Sequence, residues 1–125
     1  GRDFNVGALG VENIKHVPLL SKEELEAMIT SEDVKTGEWI RDENQRKQTY
    51  RELIGSGDRK RLMRMVHTLY RHKANQIALG KKNHLCDENF LHDAEKLLIG
   101  EISIVLHLEP GQARDYIHKK LKEDA

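Results

Sequence analysis

Residues 56–80 read SGDRKRLMRMVHTLYRHKANQIALG. Apolar side chains recur there at Leu62, Val66, Leu69, Tyr70 and Ile77, with Met63 and Ala74 beside them, the spacing of threes and fours that gives an α-helix one buried face. Asp58 stands where an N-cap carboxylate accepts the first free backbone amides, and Gly80 where a helix can stop. The stretch predicts a long helix over 58–79. Its other face carries Arg59, Lys60, Arg61, Arg64, Arg71 and Lys73, and Lys81 and Lys82 follow the closing glycine.

That face sets the charge pattern of the molecule. Residues 57–84 hold eight Lys/Arg and one acid, 85–109 hold one Lys and six acids, and 21–38 hold two Lys and six acids, so a formal charge of zero conceals a dipolar chain. A positive face of this kind suits a phosphate backbone, and equally an acidic protein.

The flanking segments read as further helices. Ser21 followed by Glu24 forms a capping box, which predicts a helix over 21–30 burying Leu25, Met28 and Ile29. A second is expected over 38–54, with Trp39 and Ile40 at its start, Tyr50, Leu53 and Ile54 at its end, and a wholly polar middle, RDENQRKQT. A helix without an apolar stripe cannot lie on a core, so its front half is expected to project. Trp39 is then either wrapped by Met28, Ile29 and Val34 or left exposed beside Arg41, Arg46, Lys47 and Arg51.

A fourth helix over 87–107 is apolar on nearly every side and is expected to form the hub, with Gly100 marking a close helix crossing. Cys86 reads as its cap. Pro110 opens a fifth helix over 110–122 in the manner of an N1 proline. With two prolines and no run of β-branched alternation, the whole is expected to be all-α, a compact bundle of about five helices. Residues 1–17 read as a disordered, tag or linker remnant and 18–125 as the helical domain.

Composition excludes several classes of function. The single cysteine, Cys86, rules out an internal disulfide and fits a cytoplasmic protein, and no apolar run is long enough to span a membrane. His67 and His72 are five residues apart and face different ways on their helix, and no His-x3-His or Cys-x2-Cys occurs. No metal, cofactor, membrane contact or catalytic residue is expected, and the chain reads as a monomeric binding module, not an enzyme.

The matching pieces PLLSKEEL (18–25), Trp39-Ile40-Arg41, Tyr50-Arg51-Glu52-Leu53 before Ser56-Gly57-Asp58, the long basic helix, and AEKLLIGEISIVLHLEP (94–110) together resemble one family. It is the C-terminal helical domain of the bacterial CarD/CdnL-like transcription regulators. The resemblance implies a nucleoid-associated regulator that engages RNA polymerase through an N-terminal β module not seen in this chain. It also implies that the helical domain touches promoter DNA at the upstream edge of the transcription bubble. Trp39 matches the family's minor-groove wedge and Arg41 a family arginine; Arg46, Lys47, Arg51, Arg59, Arg61, Arg64, Arg71, Lys73, Lys81 and Lys82 carry over only as a basic patch. Asp87 and Glu88 stand where the family's better-known members can place a basic contact residue. The alternative is a helical protein-interaction domain whose basic face docks an acidic partner.

Overall fold

The computed structural model describes residues 20–122. Local capping chemistry sets most helix limits. Ser21 and Glu24 form the reciprocal box that opens α1, Lys22–Ile29. Thr30 and Ser31 hydroxyls close it on the carbonyls of Glu26 and Met28. A single 3-10 turn, Glu32–Lys35, follows.

The second helix, α2, runs Glu43–Ser56 and so begins later than the expected 38. Asp42 is its cap, its carboxylate accepting from the Gln45 amide at 2.8 Å. Residues 36–41, Trp39 included, form an irregular strap instead of the first turn of a helix. Nor does the front of α2 project, because Arg46 is only 3% exposed and bonds inward.

Gly57, at φ 70°, reverses the chain, and Asp58 accepts from the Arg61 amide to start α3, Arg59–Ala78. A second left-handed glycine, Gly80, ends the turn after α3. The fourth helix, α4, spans Leu85–Leu106, with His84 at the cap position and Cys86 already inside the first turn, not at the cap as expected. The fifth, α5, spans Pro110–Ile117 behind a Glu109–Gln112 capping box and continues as a π turn over His118–Lys122.

The packing centre differs from the expected one. On α4 only one stripe is buried (Asp87, Leu91, Ala94, Leu98, Ile102), while Leu97 and Ile104 face solvent. Gly100 has nothing within 4 Å of where a Cβ would stand, so no helix crosses there. The most enclosed segment is α3, on which every residue from Met65 to Tyr70 is buried. It touches α1, the 3-10 turn, α2, α4 and the π turn, and so forms the hub that α4 was expected to be. Among the described residues no helix is long and apolar enough to cross a membrane.

Candidate nucleic-acid interface

Trp39 is half-buried and packs against the apolar core, and two polar side chains cover its ring. Its indole lies flat against the His72 imidazole, centroids 3.5 Å apart and planes 4° from parallel. The Arg46 guanidinium carbon stands over the same ring, 4.4 Å from its centroid. Two groups this close cannot share one face, so the indole is held between them and what it presents to solvent is its edge. Cation–π attraction and ring stacking both favour this arrangement.

Arg46 is itself fixed on all sides. Its Nε donates to Asp87 Oδ1 at 2.9 Å and Nη2 to Oδ2 at 3.3 Å, a two-pronged bridge to a carboxylate with no solvent exposure. Its Nη1 donates to the Ile40 carbonyl at 2.9 Å, gripping the strap beside Trp39. Burial opposes the charge on Arg46, and the hydrogen bond and charge of Asp87 more than offset that, leaving its pKa raised. The Arg46 placed in the basic patch by its position in the sequence is thus an internal brace, buried and turned toward Asp87 and the strap, away from any phosphate at the surface. Asp87 supplies its counter-charge, a use for an acid at the start of α4 beyond its favourable place near the helix dipole. Burial also lowers the pKa of His72, with the Arg46 and His84 charges acting the same way and Asp87 opposing.

The cations of α3 divide into inward and outward sets. Lys60 Nζ pairs with Asp33 at 2.6 Å, and its hydrogen bond and charge hold the Asp33 carboxyl below the usual range. Arg64 Nε donates to the Asp33 carbonyl at 3.0 Å, and Arg71 Nη2 to the Gly37 carbonyl at 2.7 Å. Arg59 pairs with Glu101 on α4, and Lys73 with Glu88 at 3.1 Å. Lys47 is bridged to Glu43 one turn earlier on α2 at 3.0 Å. What remains outward is Arg41 and Arg51, exposed and without an ion pair among the described residues. Arg61 is exposed and only loosely near Asp58 at 3.8 Å, and Lys81 and Lys82 are exposed on the α3–α4 turn.

His72 and Asp87 were not singled out as site residues from the sequence. One signal was available: Arg46 sits in a helix with no apolar stripe, so a buried position there demanded an acid from another element.

The comparisons with known proteins bear on this geometry. The family model described as CarD, C-terminal domain, matches residues 23–118, which spans α1 through the start of the π turn and includes the strap, Arg46, His72 and Asp87. No curated protein and no solved structure matches the chain. The match covers most of the sequence, and with it a transcription-associated role: this chain belongs to the CarD C-terminal domain family.

Proposed function

We propose that this domain is a non-enzymatic DNA-contacting module that presents Trp39 to promoter DNA at the upstream edge of the transcription bubble, with RNA polymerase engaged elsewhere than on these helices. The observation that carries the reading is the edge-out mounting of Trp39 between His72 and Arg46. A side chain free to move loses conformational entropy on insertion into a groove; one already clamped does not. With both faces covered, the ring acts as a wedge against a base step and not as an intercalating plate.

Arg41 lies two residues from Trp39, and Arg51, Arg61, Lys81 and Lys82 are the other cations of the sequence-derived patch that stand exposed. Their attraction is independent of sequence and weakens with salt through counterion release. The alternative, docking of an acidic protein on the α3 stripe, loses support because Lys60 and Arg64 turn to Asp33 in the 3-10 turn and Arg71 to the strap.

The test is a titration of fluorescent fork-junction and plain duplex DNA at two salt concentrations. Trp39→Ala is expected to weaken fork binding about tenfold, the effect of losing one wedge contact, and to leave duplex binding nearly unchanged. Equal weakening on both DNAs would reject the wedge.

A further inference from the structure

The strap has no backbone ladder to hold it. Residues 36–41 belong to neither helix nor strand, and a cleft of about 240 Å³, lined by Glu38, Ile40, Tyr50 and Met65 among others, opens between it, α2 and α3. Tight apolar packing therefore does not fix the strap on that side. Guanidinium groups hold the carbonyls of the strap and of the 3-10 turn that leads into it: Arg71 on Gly37, Arg46 on Ile40, and Arg64 on Asp33.

The residues involved follow the helical repeat. Lys60, Arg64, Thr68 and Arg71 recur at intervals of four, four and three, one stripe along α3, and His72 continues it to the indole. Where the strap crosses this stripe the contact is close. A Cβ at Gly37 would lie 2.3 Å from Thr68 Oγ1 and 2.8 Å from Arg64 Cγ, so only glycine fits. A helix face that alternates arginines with a small hydroxyl is shaped to receive a bare backbone, with its carbonyls facing the donors.

We propose that Lys60, Arg64 and Arg71 are positioning residues for Trp39, and that the basic stripe of α3 acts as a rack setting the height of the indole edge rather than as a phosphate-binding surface. This rests on the reading of Trp39 as the DNA wedge. The two roles have different signatures. A cation that touches a phosphate adds to the affinity for every DNA and to its salt dependence, whereas a cation that holds the strap changes only how well the wedge meets a fork.

The experiment uses the full 125-residue chain carrying Arg71→Ala, Arg71→Lys or Gly37→Ala, with Trp39→Ala as reference. Fork and duplex affinities are measured across a salt series, together with the accessibility of Trp39 to a fluorescence quencher. Arg71→Ala is expected to reduce fork affinity several-fold, with duplex affinity and the slope of log K against log salt unchanged and Trp39 more readily quenched. Gly37→Ala, which alters no charge, is expected to do the same. Arg71→Lys keeps the charge but not the planar fork of donors, and is expected to fall between wild type and Arg71→Ala.

A drop of about 1 in the salt slope with Arg71→Ala, shared by fork and duplex, would make Arg71 a phosphate contact and overturn the proposal. So would wild-type fork preference in Gly37→Ala. If Arg71→Ala unfolds the chain, Gly37→Ala and Arg71→Lys decide by the same criteria. Trp39→Ala separates the two readings: an unaltered fork preference in that variant defeats the wedge itself, whereas its loss there and retention in the Arg71 and Gly37 variants defeats only the rack.

Discussion

Removing the Arg46 side chain should cost the fold far more than a change at any exposed charged residue. Asp87 is fully buried and takes two hydrogen bonds from Arg46, which is itself 3% exposed. Arg46→Ala leaves that carboxylate in a dry site without its counter-ion, and breaking a buried pair from one side costs about 3–5 kcal/mol. The loss also frees the Ile40 carbonyl and uncovers one face of Trp39. Against a total of roughly 5–15 kcal/mol for a domain, such a variant is expected to be largely destabilised but measurable in urea. The decisive comparison is the double variant Arg46→Met with Asp87→Leu. Replacing both charges with apolar side chains of similar size removes the stranded carboxylate, so most of the lost stability should return, about neutral relative to wild type. Circular dichroism reports the helices and Trp39 fluorescence the strap. Stability should recover in the double variant while the fluorescence stays altered, because methionine cannot grip the Ile40 carbonyl. An Arg46→Ala variant within about 0.5 kcal/mol of wild type, the range of an ordinary surface change, would refute the buried bridge.

Two further outcomes follow from single residues. Gly100→Ala is expected to stabilise the domain by about 0.5–1 kcal/mol, since the position is mid-helix, exposed and empty around a Cβ; a melting temperature below wild type would contradict that. Because burial lowers the pKa of His72, the unfolded chain binds its proton more readily. Stability from this group is complete above the unfolded value near ~6.5 and declines as pH falls below it toward the folded value. His72→Phe, which keeps a flat ring on Trp39, should lose that share of the pH dependence between about pH 7.5 and 5.5. Identical pH profiles for thermal unfolding in the two proteins would count against it.

The features legible in the sequence were those decided within a few residues. Ser21 with Glu24, Asp58 and Pro110 each bond or constrain their own first turn, and each opens a helix where its chemistry says it should. The start of α2 was not legible because Trp39 and Ile40 are drawn out of helical conformation by His72, far along the chain, and by Arg46, itself fixed in place by the distant Asp87. Asp42 is then the first residue left to cap. The polar run RDENQRKQT looked unsuited to a core, and it is, except that one buried ion pair replaces the missing apolar stripe. The same distance in sequence concealed the direction of the α3 cations: periodicity places Arg64 and Arg71 on one face but cannot tell whether that face meets water or a backbone. Counting apolar residues on α4 overstated its burial, because Leu97 and Ile104 fall on the side that no other helix among the described residues covers.

The strap's mode of attachment separates two properties that usually travel together. Its carbonyls are gripped by arginines, yet no backbone N–H of residues 37–41 donates to another described residue. Amide hydrogens there are open to exchange with solvent, a behaviour ordinarily taken as the mark of a loose loop. The indole they carry is clamped all the same. In this segment fast hydrogen exchange is expected beside a clamped side chain, so exchange rates would report the unpartnered donors and say nothing of how firmly the tryptophan is held.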